Sequence, residues 1–346
     1  LGVALAAGCR SGKPVPKTYA IKTKRGRATE NEKITLGFIG VAGRGSHLMQ
    51  WFMRHPDVNV GAVCDVYQPH LDAAMARTGG TAKAYRDFRD LLEQRDIDAV
   101  VIATPPHWHA LMTIYACQTG RDVYVEKPMC LCPGEGRAMV KAAREYNRVT
   151  QVGTQIHAEE NYARVVEVVR SGVLGPISAV QTQLLLNEAP DGIGNPPDSD
   201  PPEGLDWDLW CGPLDPMPFN IARFQAGQHR YFADLGGGSW LTEMGPHIID
   251  LPCWALNLPV PKTVSASGGR YVMKDISTIP DTMEAVFEYD NMVMSWTNYC
   301  ANSHGFSLKE EETDMIRRLG ASFHGVNGTL TADYAQFRIN GEGERM

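Results

Sequence analysis

Between residues 34 and 152, short apolar runs alternate with helix-like stretches, and this alternation constrains the fold more than any other feature. The apolar runs are continuous, which is typical of strands that are buried on both faces. Strands are predicted at 34–39, 58–64, 99–103, 122–125 and 149–152. Helices are predicted at 44–55, 72–77, 85–94, 107–119 and 134–146. Strands that alternate with helices predict a doubly wound parallel sheet.

The second half of the chain has a different pattern. A helix is predicted at 158–170, because apolar residues recur there at helical spacing. Strands are predicted at 177–186, 263–272, 282–289 and 292–299, without comparable helices between them, and a long surface loop is predicted at 187–202. With 346 residues in total, the chain is expected to form about two domains.

Composition excludes several classes of protein. Hydrophobic residues make up 43% and charged residues 21% of the chain, as in ordinary globular proteins. The net charge of −7 disfavours a nucleic-acid partner, which normally selects a basic surface. No apolar run reaches the roughly 18 residues that a membrane span needs.

The first nine residues, 1–9, resemble the end of an export signal. Two cleavage sites are compatible with them, one of the small-residue type around Ala6 and one of the lipoprotein type at Cys9, where a lipid anchor would be attached. The alternative is a buried N-terminal helix. Residues 10–33 are basic and lack apolar periodicity, so they are predicted to form a solvated arm. We therefore expect an exported protein, periplasmic or lipid-anchored, and a cytoplasmic one if the segment is not a signal.

A glycine-rich turn follows the first predicted strand. Its glycines, Gly40, Gly43 and Gly45, would let the backbone approach a pyrophosphate at the start of the next helix, although Ala42 replaces the second glycine of the usual fingerprint. Asp65, 25 residues beyond Gly40, ends the second strand and is predicted to bind a ribose hydroxyl. A carboxylate there would repel a 2′-phosphate, so NAD is favoured over NADP. The alternative role for Asp65 is that of an ordinary helix cap.

Polar residues also follow two later strands. Thr104 and Pro105 come after the strand at 99–103, followed by His107 and His109, a His-x-His pair without an evident third ligand, so no metal site is predicted. Lys127 lies in the segment 126–128, Glu-Lys-Pro, at the end of the strand at 122–125. A lysine at this end of a strand points toward the ligand crevice. The alternative for Lys127 is a surface ion pair.

Together these pieces resemble the glucose–fructose oxidoreductase, inositol dehydrogenase and MocA family (Gfo/Idh/MocA). The resemblance runs from about residue 34 to the end of the chain. It rests on the glycine turn, Asp65, the Thr-Pro and Glu-Lys-Pro segments, and two further blocks. These blocks are Val152-Gly153-Thr154-Gln155, and Gly236-Gly237-Gly238 leading to Glu243, His247 and Asp250.

The resemblance implies two domains after the arm at 1–33. Residues 34–155 would form a Rossmann domain, and residues 156–346 would form an α+β domain with an open, mostly antiparallel sheet that binds substrate and builds homo-oligomers, dimers or tetramers. The implied cofactor is NAD. Its contacts would come from Gly40, Ala42, Gly43, Arg44, Gly45, Asp65, Thr104, Pro105, His109, Glu126, Lys127 and Gln155.

The resemblance also implies three catalytic residues. His247 would take the proton when a substrate hydroxyl is oxidised, and Lys127 would hydrogen-bond the reacting oxygen. Glu243, where many family members have Asp, lies four residues before His247 and would orient its imidazole if both are helical. Pro246 is expected to limit how early this helix begins. The alternative for His247 is a structural histidine in the core.

Candidate substrate contacts lie before the glycines. Trp210 and Tyr231 offer rings that stack on sugar faces, and Arg230 offers a forked donor for hydroxyls. Packing between the domains is the alternative interpretation for each of them. Trp207 and His304 are similarly ambiguous.

These observations predict an NAD-dependent oxidoreductase that transfers a hydride between a carbohydrate or polyol and the cofactor. The main alternative is an NAD-dependent glycosidase, in which a sugar is transiently oxidised, eliminated and reduced again. The N-acetylgalactosaminidase branch that works in this way typically lacks the lysine found here at Lys127, which disfavours that branch. Export would require a tightly held cofactor and would favour the recycling alternative. A nucleotide-binding protein without catalysis is disfavoured by Lys127, Glu243 and His247 together.

Overall fold

A computed structural model of the chain describes residues 33–304 and 318–345. The predicted export segment, Cys9 and nearly all of the basic arm lie outside these residues. Within the described ranges, no helix combines the length and the apolar character needed to cross a membrane.

Six parallel strands form the first sheet of the described structure, in the spatial order β3-β2-β1-β4-β5-β6. Successive strands are added toward one edge of the sheet from β1 to β3 and toward the other edge from β4 to β6. This reversal of the strand order between β1 and β4 opens a crevice at the carboxyl ends of these two strands. This is the predicted doubly wound sheet. The strands are β1 (Ile34–Ile39), β2 (Val58–Cys64), β3 (Lys83–Tyr85), β4 (Ala99–Ile102), β5 (Asp122–Glu126) and β6 (Thr150–Gly153).

Helices cover both faces of this sheet. Phe38 belongs to a core with Leu48 and Met49 on one face, while the next residue, Ile39, belongs to a core with Met112 on the other. Successive strand residues thus serve two separate cores. Burying each such side chain contributes about 1.5–3 kcal/mol. The helices are α1 (Gly43–Phe52), α2 (Gln68–Arg77), α3 (Phe88–Leu92), α4 (His109–Gln118) and α5 (Pro133–Glu145).

The helix predicted at 85–94 is wrong in its first turn. Tyr85 ends the edge strand β3, and the helix begins only after Asp87, whose carboxylate accepts a hydrogen bond from the backbone N–H of Arg89 at 2.9 Å. A strand of three residues is too short for its alternation to be recognised. The cap at Asp87 separates it from the helix.

A second sheet of seven described strands has the order β13-β12-β11-β7-β10-β9-β8. Only the β7–β10 pair is parallel among these strands, so the predicted, mostly antiparallel sheet is confirmed. The strands are β7 (Ile177–Leu185), β8 (Thr263–Gly269), β9 (Thr282–Glu288), β10 (Val293–Tyr299), β11 (Leu319–Gly325), β12 (Gly328–Ala332) and β13 (Phe337–Gly341).

One face of the second sheet is covered by helices. Tyr162 and Val165 of α6 (Glu160–Arg170) pack with Phe323 and with Leu251 of α11 (Asp250–Leu256). Among the described residues, no helix covers the opposite face, which exposes Val286 of β9 and Val293 of β10. Four shorter helices lie between β7 and α11 in sequence, namely α7 (Trp207–Cys211), α8 (Ile221–Phe224), α9 (Ala233–Gly236) and α10 (Trp240–Ile248).

Candidate active site

A cleft of about 700 Å³ lies at the crevice of the parallel sheet. Loops that follow β1, β2, β4 and β5 form one wall, and residues from α7 to α10 form another. The predicted site residues that line the cleft are Gly40, Ala42, Gly43, Arg44, Asp65, Thr104, Pro105, Glu126, Lys127, Gln155, Trp210, Arg230, Glu243 and His247. The fold therefore brings together residues that are far apart in sequence.

The glycine turn after β1 is shaped for a close approach of the backbone. Gly40 has a φ of +79°, and a Cβ atom there would lie 2.8 Å from the backbone nitrogen of Thr104. A Cβ atom on Gly45 would lie 1.8 Å from the carbonyl oxygen of Gly40. Helix α1 begins at Gly43 without a side-chain cap, so the N–H groups of its first turn are available to an anion. Gly45 supports this turn from behind rather than lining the cleft.

Asp65 is held at the end of β2 by backbone donors. Its Oδ2 accepts a hydrogen bond from Val41 N at 3.0 Å, and its Oδ1 accepts one from Tyr67 N at 3.1 Å. The Nδ1 of His70 lies 3.3 Å from Oδ1. Oδ2 keeps a further lone pair, so Asp65 can still accept a hydrogen bond from a hydroxyl of a ribose.

Arg44 connects the glycine turn to the end of β5. Its Nε donates to Oε1 of Glu126 at 2.7 Å, and its guanidinium lies 5.0 Å from the centre of a Trp51 ring. The other oxygen of Glu126 accepts a hydrogen bond from Lys127 N at 3.2 Å. Glu126 thus fixes the loop that carries Lys127 relative to the turn.

Lys127 and Glu243 form an ion pair across the cleft. The Nζ of Lys127 lies 2.5 Å from Oε1 of Glu243 and also donates to the Glu243 carbonyl at 3.1 Å. The Nη1 of Arg230 lies 3.7 Å from the same carboxylate oxygen. Two cations therefore share one buried carboxylate.

Helix α10 places Glu243 and His247 four residues apart, as predicted, but the expected contact between them is wrong. The Glu243 carboxylate turns to the ammonium of Lys127, whose full charge attracts it more strongly than a neutral imidazole does. Among the described residues, the buried Nδ1 of His247 has no hydrogen-bond partner. His247 is thus held by packing rather than by an orienting carboxylate.

The expected effect of Pro246 on the start of α10 is also wrong. The helix begins at Trp240, and Pro246 lies inside it. Ser239 and Thr242 form a reciprocal capping box, with Thr242 N donating to Ser239 Oγ at 3.3 Å and Ser239 N donating to Thr242 Oγ1 at 3.2 Å. The cap stabilises the first turn, which offsets the hydrogen bond that proline removes.

Burial determines the protonation of His247. Desolvation, followed by the positive charges of Lys127, Arg44 and Arg230, lowers the pKa of His247 to about 3. The imidazole is therefore neutral near pH 7.

Two predicted site residues are structural instead. His109 is buried outside the cleft lining, and its two ring nitrogens each lie 2.7 Å from a backbone carbonyl, of Pro128 and of Thr104. It fixes the two loops that present Thr104 and Lys127. Tyr231 donates its hydroxyl to Oε1 of Glu188 at 2.7 Å and packs on Trp240, away from the cleft.

Trp210 lines the cleft, but it is also a packing residue. Its ring stacks on Trp207, with centroids 4.5 Å apart, and its carbonyl accepts hydrogen bonds from His107 and Trp108 at 3.0 Å each. His304, by contrast, is exposed beyond β10, where its carbonyl accepts a hydrogen bond from the Tyr299 hydroxyl.

Sequence reasoning missed several cleft residues. His229 precedes Arg230 in a short 3₁₀ turn, where no motif marks it. Tyr334 reaches the cleft from the turn between β12 and β13, and its ring centre lies 6.1 Å from that of His247. Only the pairing of the distant strands brings Tyr334 there, so the local sequence holds no signal for it.

Comparison with known proteins places this geometry in context. The sequence model of the GFO_IDH_MocA family, described as an oxidoreductase family with an NAD-binding Rossmann fold, matches residues 34–154. A glycosyl hydrolase family 109 protein of Shewanella sp. (strain W3-18-1) is 32% identical over 186 residues, which are 50% of this chain and 40% of that protein. One from Shewanella putrefaciens is 34% identical over 162 residues, 43% of this chain and 34% of that protein. The match thus spans about two fifths or less of these curated relatives.

Solved structures share the fold over most of the chain. The WlbA dehydrogenase from Bordetella pertussis, in complex with NADH and UDP-GlcNAcA, has a TM-score of 0.68 at 22% identity and covers 92% of this chain and 79% of that one. The myo-inositol 2-dehydrogenase from Lactobacillus plantarum has a TM-score of 0.64 at 19% identity, with coverages of 87% and 76%. At such identities the likeness concerns the fold.

Proposed function

We propose that this chain, which belongs to the Gfo/Idh/MocA family of NAD-binding oxidoreductases, transfers a hydride between a hydroxyl of a carbohydrate or polyol and the nicotinamide cofactor. One observation carries the proposal. Lys127 and the neutral His247 line the same cleft as the glycine turn and Asp65. A hydroxyl bound there would meet both an ammonium donor and a proton acceptor beside the dinucleotide site.

The residues of the first wall fit a dinucleotide. The N–H groups of the glycine turn would hold the pyrophosphate, and Asp65 would bind the ribose hydroxyls. Asp65 favours NAD over NADP because its charge repels a 2′-phosphate. Arg86 also lines the cleft, but its Nη2 donates to the carbonyls of Val66 and Gly204. When bound, the nicotinamide accepts or returns the hydride.

The residues of the second wall manage the proton. The Lys127 ammonium, fixed by Glu243, would donate to the reacting oxygen and stabilise the negative charge that develops on it. His247, which lines the same cleft as Lys127, would take the hydroxyl proton. Arg230 and Trp210 would contact the substrate around this centre.

Absorbance at 340 nm tests the proposal directly. The protein is mixed with NAD and a panel of polyols, free sugars and aryl glycosides, and the first turnover is followed. We expect NADH to form with at least one member of the panel. Lys127→Met and His247→Ala should each slow this step by about 10²–10⁴-fold, the usual contribution of such groups. Absence of NADH formation with the whole panel would contradict hydride transfer.

A glycosidase that recycles its cofactor is the second candidate. The names and the 32–34% identity of the Shewanella relatives favour it, while Lys127 disfavours the branch that lacks this lysine. Both candidates need the same oxidation, so release of 4-nitrophenol from aryl glycosides without net NADH accumulation distinguishes them. This candidate would require a tightly held cofactor, as would an exported location, periplasmic or lipid-anchored at Cys9. To test for such a cofactor, the protein is dialysed extensively and denatured, and the released nucleotide is measured by mass spectrometry.

We take the boundary between the two domains at residue 155. The open face of the second sheet is the proposed contact between copies of this chain. Val286 of β9 and Val293 of β10 are exposed on this face. An uncovered sheet with exposed apolar side chains favours self-association. Light scattering should show a dimer or tetramer that Val286→Lys together with Val293→Glu converts to monomers.

A further inference from the structure

Arg230 enters the cleft from a turn that the fold holds in place. It belongs to the 3₁₀ helix Gln228–Tyr231, and the carbonyl of Tyr231 accepts a hydrogen bond from Thr278 N at 2.9 Å. A Cβ atom on Gly236 would lie only 2.8 Å from the Cα atom of Arg230, so helix α9 packs directly against this backbone. The guanidinium is thus presented to the cleft by a packed turn.

Three of the described arginines line the cleft, and the fold satisfies their donors differently. The Nε of Arg44 donates to Glu126 at 2.7 Å, and the Nη2 of Arg86 donates to two backbone carbonyls. The Nε of Arg230 is buried and has no hydrogen-bond partner among the described residues. Buried donors are nearly always paired in folded proteins, so an unpaired one in a binding cleft indicates a place for an acceptor on a ligand.

Glu243 does not satisfy the donors of Arg230. The Nη1 of Arg230 lies 3.7 Å from Oε1 of Glu243, which is too long for a hydrogen bond. The same oxygen lies 2.5 Å from the Nζ of Lys127, so Glu243 is committed to the ammonium. Glu188 also attracts Arg230, but its Oε1 accepts a hydrogen bond from the Tyr231 hydroxyl, and it lies outside the cleft lining.

The end of the cleft that contains Lys127 therefore has an excess of positive charge. Glu126 balances the charge of Arg44, and Glu243 balances that of Lys127. Arg230 is left without a carboxylate of its own, and its side chain is only 33% exposed. Water screens a charge less when it is partly buried, so the guanidinium attracts an anionic ligand more strongly than a surface arginine would.

The cleft histidines do not change this balance near pH 7. Desolvation, followed by the charge of Arg230, lowers the pKa of His229 to about 3. The pKa of His247 is lowered to about 3 as well. Both imidazoles are therefore neutral, and the uncompensated charge remains that of Arg230.

The position of a bound anion follows from the carboxylate that the two cations share. The Nζ of Lys127 and the Nη1 of Arg230 lie on the same oxygen of Glu243, so the two cations are close together. Each would reach an acceptor at about 2.9 Å. A hydroxyl bound to Lys127 and an anion bound to Arg230 therefore belong to neighbouring parts of one small molecule.

We infer that the substrate carries a carboxylate near the hydroxyl that is oxidised, and that Arg230 binds this carboxylate. The inference rests on the proposed hydride transfer and narrows its substrate class to sugar acids, namely uronates and aldonates. The Nε–H and one Nη–H of a guanidinium match the two oxygens of a carboxylate. One carboxylate also cancels the single positive charge left at Arg230, which a phosphate group, with a charge of about −1.5 to −2, would exceed.

Matched pairs of compounds that differ only in the acidic group isolate the contribution of the carboxylate. The pairs are D-glucuronate with D-glucose, D-galacturonate with D-galactose, and D-gluconate with D-glucitol, and D-glucose 6-phosphate is the phosphate probe. Reduction of NAD gives kcat/KM, and calorimetry gives the affinity of the NADH-loaded protein, which does not depend on turnover. We expect at least one acid to exceed its neutral partner by about 10–100-fold in both quantities, as charge-assisted hydrogen bonds usually contribute.

Two variants test the role of Arg230. Arg230→Gln removes both the charge and the fork, so it should lower kcat/KM and affinity for the preferred acid by about 10–100-fold, and those for the neutral partner by less than about threefold. Arg230→Lys keeps a charge beside Glu243, so it should fold even if the glutamine variant does not. It lacks the fork and should lose about tenfold for the acid. The exposed Arg54, changed to Gln, should leave both quantities unchanged.

The outcomes separate this inference from the proposed function. If no compound reduces NAD, the proposed hydride transfer is contradicted, and the affinities of the NADH-loaded protein still decide whether an acid is preferred. Equal affinities within every pair, or a preference for D-glucose 6-phosphate over all the carboxylates, would overturn the inference. An acid preference that persists in both variants would overturn the role of Arg230, and one that is lost with the guanidinium would support it.

Discussion

The Nζ of Lys127 lies 2.5 Å from Oε1 of Glu243, although the two residues are 116 positions apart in sequence. The side chains are only 13% and 3% exposed, respectively. Lys127 follows strand β5 of the parallel sheet and Glu243 belongs to helix α10, so the pair joins the two walls of the cleft. It fixes the ammonium where the proposed function places the substrate oxygen, which a surface ion pair could not do.

Removing one partner of this pair should be costly. Glu243→Gln leaves the Lys127 ammonium buried without its counter-charge, so we expect the free energy of unfolding to fall by about 3 kcal/mol. Urea denaturation at pH 7 measures this loss of unfolding free energy. The exposed pair of Lys83 and Asp96 provides the control, because Asp96→Asn should cost less than about 1 kcal/mol. Equal costs for the two variants would show that the Lys127–Glu243 pair is no more than a surface contact.

The sequence predicts the parallel sheet well because strands buried on both faces give continuous apolar runs. Ala99 to Ile102, for example, has only apolar residues and lies in the centre of the sheet. Lys83–Tyr85, at the edge, has no such run and was predicted to be partly helix. The edge strand is specified by pairing with β2 rather than by its own residues.

The low pKa of His247 predicts a pH dependence of stability. Burial lowers this pKa from its ordinary value of 6.5 to about 3. Between these values the unfolded chain binds a proton that the folded protein does not, so stability is lost as the pH falls below about 6.5. Replacing His247 by Gln removes this linkage. From pH 7 to pH 5, the original protein should lose about 2 kcal/mol more than the variant.

Urea denaturation at the two pH values gives this difference. His55→Gln, at an exposed position, should retain the pH dependence of the original protein. If His247→Gln also retained it, His247 would not be the buried neutral imidazole described above.

Individual site residues were predicted less reliably than the fold, because a residue type does not reveal its partners. Lys127 and Asp65 follow strands and were placed correctly in the cleft by the rule for parallel sheets. His109 follows a strand as well, yet its ring turns inward to two carbonyls. Tyr231 satisfies its hydroxyl with Glu188, a residue from a distant loop. Such pairings depend on tertiary structure alone.

Asp65 should determine the choice between NAD and NADP. Asp65→Asn removes the charge that repels a 2′-phosphate but retains an oxygen that can accept from Val41 N. We expect NADH to bind about tenfold more weakly, since a hydrogen bond to a charged group contributes about 1.5–3 kcal/mol. The ratio of NADH to NADPH affinity should fall by more than this factor. Fluorescence titration measures both affinities, with Asp57→Asn, at an exposed position, as the control. An unchanged ratio would rule out a selective role.

Gly45 and Gly134 offer a matched test of the dinucleotide turn, because each lies in the first turn of a helix. A Cβ atom on Gly45 would lie 1.8 Å from the carbonyl oxygen of Gly40, whereas the nearest atom to a Cβ on Gly134 is 3.8 Å away. Gly45→Ala must therefore displace the turn, and we expect it to cost about 1–3 kcal/mol of stability and at least tenfold in NADH affinity. Gly134→Ala should leave NADH affinity unchanged and stabilise its helix by up to about 1 kcal/mol. Thermal unfolding and NADH titration compare the two variants. Normal NADH binding by a folded Gly45→Ala protein would mean that the dinucleotide does not use this turn.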